Sequence, residues 1–225
     1  MIVVTGVDLP LVAGLVDGLR ASGETVVALP DTAIASRADA DAAFAAAVAE
    51  HGPLGAVVHA AVDPRAYERM PFTAVDDDRF DAVWEQTLRR FLFVLQGAHP
   101  HLVATATATG GATASVVVVA PVVGMAGAAE LAPYAAALEG MRVLAKSTAR
   151  QWGPQGIRVN VVAPAPEQVP IGVASSELAL SPPALGRPGD PAADLAPVVA
   201  WLCSEQSRFV TGETIGLDGG VWMAP

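Results

Sequence analysis

Gly156-Ile157-Arg158-Val159-Asn160-Val161-Val162-Ala163-Pro164 carries a short apolar run, read as a strand over 157–162, and its neighbours decide the fold. Upstream lies a long segment of helical period at 133–152, and before it a second Val-rich run at 115–120. Downstream, a helix is expected near 192–205 and a strand at 214–218. Toward the N-terminus the alternation continues, with strands at 54–60, 25–29 and 1–5 and helices near 78–98, 39–50 and 10–21. Short apolar runs alternating with longer helical segments make a parallel sheet with crossover helices. The expected fold is therefore α/β, a single doubly wound parallel sheet.

Two segments depart from an even alternation. Only nine residues, 30–38, separate the strand ending at Leu29 from the helix starting near Asp39. A doubly wound fold normally fits a helix and another strand there, so one crossover is expected to be shortened to a loop around Asp31–Arg37. Residues 164–190 are rich in Pro, Ser and Gly and read as a surface loop or lid. No internal repeat or long linker divides the chain, so 1–225 is expected to be one domain. The helix at 78–98 places Phe80, Val83, Trp84, Thr87, Leu88, Phe91, Leu92 and Leu95 on one broad face, with Glu85 and Arg89 opposite as an i, i+4 pair.

The net charge of −10 and a single lysine, Lys146, argue against a phosphate-rich partner such as nucleic acid. Cys203 is the one cysteine, which excludes an intramolecular disulfide or a multi-thiolate metal site. Its apolar helical setting reads as a buried structural thiol. The most apolar stretch, Ala112 to Ala129, is interrupted by Ser115, Pro121, Gly124 and Gly127, too often to span a bilayer. A cytoplasmic protein is expected, with no metal site.

Several landmarks, taken in order, resemble the short-chain dehydrogenase/reductase family. They are Thr5-Gly6 after the first strand, Val57-Val58-His59-Ala60-Ala61 after the third, and Tyr134 opening a long helix. Gly156 to Pro164 follows, then Gly186-Arg187-Pro188-Gly189-Asp190, and finally Thr211-Gly212-Glu213-Thr214-Ile215-Gly216-Leu217-Asp218-Gly219-Gly220. The resemblance implies a Rossmann-type sheet, an NAD(P) cofactor and a Ser–Tyr–Lys catalytic set with a supporting Asn. It also implies a subunit interface built from the helices at 78–98 and 133–152.

The residues at the implied sites differ from that pattern. The family's glycine-rich turn lets backbone N–H groups approach a diphosphate at a helix N-terminus. Here the run is Thr5-Gly6-Val7-Asp8-Leu9-Pro10-Leu11-Val12. Pro10 has no N–H, Val12 adds a branched side chain, and Asp8 reads as a helix cap whose carboxylate repels a diphosphate. Ala165 and Val169 stand where the family has a Gly and a carboxamide-holding Thr. Asp31, near the end of the second strand, is either a ribose-facing acid or a solvated turn residue. His59 is either a substitute acid or base or a hydrogen-bonded core residue. No cofactor-binding residue is therefore assigned, and no usable NAD(H) or NADP(H) site is expected.

The catalytic positions differ as well. Leu138 occupies the lysine position one turn beyond Tyr134, Pro121 the serine position and Thr87 the asparagine position. Lys146 lies about 18 Å further along the helix axis and Arg142 about 12 Å, at about 1.5 Å per residue. An unassisted tyrosine is ionised to about one part in a thousand at neutral pH. Tyr134 is the one candidate catalytic residue, read as vestigial. The expected function is a non-redox structural or regulatory subunit, associating with itself or with an active relative through 78–98 and 133–152. The alternatives are an enzyme of altered, non-redox chemistry using Tyr134 in the emptied cleft, and an NAD(P)-dependent oxidoreductase of the family.

Overall fold

A computed structural model describes residues 1–6, 9–60, 64–111, 114–168 and 180–223. Six parallel strands form one sheet in the order β2-β1-β3-β4-β5-β6. They are β1 (Ile2–Thr5), β2 (Val26–Leu29), β3 (Ala56–His59), β4 (Ala114–Val119), β5 (Ile157–Pro164) and β6 (Thr214–Leu217). The strands are Val-rich because both faces are covered. Val3, Val57, Val116, Val118, Val159 and Val161 point into one core cluster. Ile2, Val4, Val58, Val117, Val119 and Val162 point into the other, as the two-residue period of a strand requires.

The first face is packed by α2 (Arg37–His51), α4 (Arg90–Thr109) and α6 (Ala132–Trp152), through Phe44, Phe91, Leu102, Leu138 and Met141. The second is packed by α1 (Pro10–Ala21) and α7 (Ala196–Cys203), through Leu11, Leu15, Leu19, Val199 and Leu202. Gly18 permits the close approach there: a Cβ on it would lie 2.5 Å from the Ala196 Cβ and 2.7 Å from the Ala192 carbonyl oxygen. The expected short crossover is present. The chain leaves β2, makes a 3₁₀ turn at Asp31–Ile34 and enters α2 at Arg37, capped by the Ser36 hydroxyl, so β2 remains the sheet edge.

The helix expected at 78–98 is longer and interrupted. It runs as α3 (Asp77–Trp84), a π-helical turn (Glu85–Arg89) and α4, which carries Pro100 within it. Glu85 and Arg89 do form the expected ion pair, at 2.5 Å. The broad apolar face does not stay together: Val83, Thr87, Phe91 and Leu95 are buried, whereas Phe80 and Leu92 are exposed. On α6, Tyr134, Leu138, Met141 and Ala145 form one stripe, and it is buried in the core. A short helix, α5 (Val123–Ala126), has no counterpart in the sequence reading, and the helix expected at 192–205 begins as a π-helical turn at Pro191–Leu195 before α7. Of the segment 164–190, residues 169–179 lie outside the described residues. Among the described residues, no helix is long and apolar enough to cross a membrane, and no group of His, Cys, Asp and Glu can hold a metal ion.

Candidate functional site

The chain leaves β1 for β2 on one side and returns to β3 on the other, so the order of connection reverses between β1 and β3. In open α/β sheets a ligand lies in the crevice beyond the carboxyl ends of the strands at that point. Here the two strand ends are tied together. The Ala60 N–H donates to the Thr5 carbonyl at 3.1 Å, and Thr5 Oγ1 shares a hydrogen bond with His59 Nδ1 at 2.8 Å. The His59 ring is fully buried and stacks on Phe91, with centroids 5.1 Å apart. Desolvation, with the Arg90 charge as a smaller cause, pulls its pKa down to about 3. His59 is thus a neutral core residue at physiological pH.

Asp31 follows β2, as a ribose-facing acid would. It is neither solvated nor open to a ribose as folded: its Oδ2 lies 3.3 Å from Arg90 Nη1, and the two side chains are 17% and 16% exposed. Arg90 also donates to Gln86 Oε1 at 3.3 Å. The solvated-turn reading of Asp31 is therefore corrected. Arg90 escaped the sequence reading because the adjacent Arg89 already had a partner in Glu85.

Tyr134 sits in the first turn of α6 and is 1% exposed. Its ring meets Tyr67 edge to face, with centroids 5.2 Å apart and planes at 77°. Burial raises the Tyr134 pKa well above the ordinary tyrosine value, and the neighbouring Tyr67 raises it further. Burial likewise raises Tyr67, and nearby Asp31 adds to the shift while the Tyr134 hydroxyl opposes it. Leu138, one turn on, is buried in the core, and Arg142 is held by Glu139 with Nε–Oε distances of 2.9 and 2.8 Å. Lys146 lines a separate surface groove with Arg150 and Glu213. Pro121 is buried, and Thr87 is buried within the π-helical turn. Tyr67 is one of two tyrosines in the chain. It stands at the end of a 3₁₀ turn, Pro64–Tyr67, with no periodic signal to mark it in the sequence.

Gly6 has φ +90°, the backbone that a glycine after β1 supplies. The helix start beyond it is closed on itself: the Leu9 N–H donates to the Gly6 carbonyl at 3.3 Å, and the Val12 and Ala13 N–H groups donate to the Leu9 carbonyl at 2.9 and 3.2 Å. Pro10, at the first helical position, has no N–H to offer. Asp8 lies outside the described residues, and the N-cap is Leu9, with no side-chain cap. Val12 is turned fully into the core between α1 and α7. Ala165 donates its N–H to Gln168 Oε1 at 3.1 Å, and Val169 lies outside the described residues. Leu9 and Tyr67 each touch both core clusters, which places them across the carboxyl edge of the sheet. As folded here, the crevice does not fit a dinucleotide.

A cavity of about 470 Å³ opens beside β6 and is lined by residues that include Leu185, Arg187, Asp194, Leu217, Asp218 and Met223. It shares no residue with the crevice. Arg187 and Asp194 pair with each other there at 2.6 Å, and Asp218 accepts the Gly220 and Trp222 N–H groups at 2.9 and 2.8 Å.

Comparison with known proteins bears on what this arrangement is for. The family model described as enoyl-(acyl carrier protein) reductase matches residues 2–222. An A-factor type gamma-butyrolactone 1'-reductase of Streptomyces virginiae is 32% identical over 235 aligned positions, covering 97% of this chain and 84% of that protein. A 3-oxoacyl-[acyl-carrier-protein] reductase of Thermotoga maritima is 34% identical, over 64% of this chain and 58% of its own. The crystal structure of a 3-ketoacyl-(acyl-carrier-protein) reductase from Brucella melitensis, complexed with NADH, superposes with a TM-score of 0.84 at 22% identity, covering 99% of this chain and 98% of that one. That likeness establishes the fold. The sequence relatives overturn the expectation of a non-redox structural or regulatory subunit, because they are named as oxidoreductases and one of them aligns from end to end. The chain belongs to the short-chain dehydrogenase/reductase family.

Proposed function

We propose that the protein is an oxidoreductase of the short-chain dehydrogenase/reductase kind that reduces a carbonyl on an acyl or lactone substrate. The observation that carries this reading is the alignment, over 97% of the chain, with a lactone reductase. In this family the two-electron donor is a nicotinamide nucleotide. What this chain's own residues supply is the proton. Burial holds Tyr134 in its protonated form, so its Oη is a hydrogen-bond and proton donor to a carbonyl oxygen rather than a base. Leu138 in place of a lysine removes the cation that would favour the phenolate. Both features hold the resting side chain as the phenol, the form that proton donation to a carbonyl oxygen requires.

The same reading includes self-association and a cytoplasmic site of action. Phe80, stacked on the half-buried Trp84 at 6.0 Å, and Leu92 and Val143 are exposed apolar side chains on α3, α4 and α6. A second copy of the chain is proposed to cover them. The test of activity is consumption of NADPH or NADH with a 3-oxoacyl thioester or a β-keto lactone. Turnover is expected with the wild-type chain, and Tyr134→Phe is expected to lower it by about a hundredfold or more. No turnover with either nucleotide at high protein concentration would overturn the assignment.

A further inference from the structure

Asp218 follows β6 at the edge of the sheet and is only 7% exposed. Its two oxygens accept the Gly220 and Trp222 N–H groups, one each, and no cation among the described residues pairs with it. Buried carboxylates are ordinarily paired. A carboxylate has about four acceptor positions, so each Asp218 oxygen keeps one beyond its backbone bond. The group lines the 470 Å³ cavity beside β6, a volume in the range of small-molecule sites. The other two charges on the wall cancel, because Arg187 donates to both oxygens of Asp194, at 2.6 and 2.8 Å. Gly216, inside β6, leaves the carboxylate open to the cavity. Its φ lies outside the left-handed region, and a Cβ built on it would meet, among the described residues, only Asp218 Oδ1, at 3.9 Å. Neither backbone geometry nor packing therefore calls for glycine there. A glycine inside a strand weakens it, and it often marks a place where a ligand or another backbone comes close.

We propose that this cavity is a ligand site distinct from the crevice, and that it takes an organic amine with an apolar body. The ammonium group donates to Asp218, and the apolar part packs on Leu185, Leu217 and Met223. The site shares no residue with the crevice and stands independently of the oxidoreductase reading. A hydrogen bond between two ionised groups is stronger than one from a neutral hydroxyl, so the cavity prefers an amine to an alcohol of the same shape. A carboxylic acid of that shape is repelled by Asp218.

The experiment is calorimetric titration of 4-phenylbutylamine into the full chain, set against 4-phenylbutanol and 4-phenylbutyrate, which keep the shape and change the charge. The wild type is expected to bind the amine about tenfold or more tightly than the alcohol, and the acid more weakly than either. Met223 is one of five methionines, and its methyl NMR signal, assigned through Met223→Leu, is expected to move as the amine is added. Gly216→Val fills the cavity without removing a hydrogen bond of Asp218 and is expected to weaken amine binding about tenfold or more. Asp218→Asn, with its fold checked by circular dichroism, is expected to bind amine and alcohol alike. If that variant does not fold, Gly216→Val decides the matter. The proposal is overturned by no amine binding at millimolar concentration, or by an amine bound no more tightly than the alcohol or the acid. A Met223 signal unmoved at saturation, amine binding undiminished in folded Gly216→Val, or a preference for the amine kept by folded Asp218→Asn would overturn it equally.

Discussion

The carboxyl ends of β1 to β3 and the region around β5 and β6 were built to different ends. Around β5 and β6 the sequence keeps the family's landmarks almost intact, and their polar side chains are spent on the chain itself. Asn160 donates to the Val210 carbonyl at 2.9 Å and accepts the Glu213 N–H at 3.1 Å. Arg158, also buried, donates to Ser207 Oγ at 2.8 Å and to the Ser204 carbonyl at 3.0 Å. Thr211 Oγ1 accepts the Val159 N–H at 3.1 Å. Around β1 to β3 the family's residues have been exchanged, and the described side chains at the strand ends pair with one another, Thr5 with His59, Asp31 with Arg90 and Tyr67 with Tyr134. A retained motif here therefore reports satisfied buried polar groups, which hold the fold. An altered one reports a change in what the crevice accepts.

The largest expected effect that separates the two regions is acid sensitivity at His59. Its folded pKa, about 3, lies below the ordinary histidine value of 6.5, so the unfolded chain binds the proton more readily between those values. Stability is therefore full above about pH 6.5 and falls as pH drops toward 3. The loss is about 3 kcal/mol by pH 4, at 1.36 kcal/mol per unit. His59→Asn is expected to flatten that slope, as read by urea unfolding across the range. An unchanged slope would mean that His59 is solvated.

Asn160→Ala tests the other region. It leaves the Val210 carbonyl and the Glu213 N–H without their partner and is expected to cost about 2–3 kcal/mol in urea unfolding, with no pH dependence of its own. A cost near zero would show that the retained motif is not structural. The smallest effect on stability is expected on the outer side of α6, whose inner side carries Tyr134. Val143 is 56% exposed, so Val143→Glu should change stability by less than about 0.5 kcal/mol while reducing the mass measured by light scattering. A mass unchanged from the wild type would place self-association elsewhere.

Much of this was legible beforehand, for local reasons. The strand runs were found to within a few residues because Val-rich segments stand out against the helical periods around them. The short crossover followed from counting positions between Leu29 and the next helix. The relation of Tyr134 to Leu138 followed from the pitch of one helix. The interface implied at 78–98 and 133–152 was expected to be wider than it is, because a helix packed against a sheet and a neighbouring helix buries a wider face than one sheet requires. Phe91 and Leu138 turned out to be core, and only Phe80, Leu92 and Val143 were left outside. The expectation of a subunit without redox chemistry treated exchanged motif residues as lost function, and the end-to-end relationship to a reductase corrects it.

By itself the sequence determined the alternation of strands and helices, the two-faced burial of the sheet and the family. Each of these rests on spacing within a segment or on the order of segments along the chain. The tertiary structure alone decided which side chains meet at the strand ends. Tyr67 meets Tyr134, Asp31 meets Arg90 and Thr5 meets His59 across long separations in sequence, and only the closing of the sheet brings each pair together. The same closing removes water from His59 and Tyr134, and that desolvation sets their protonation.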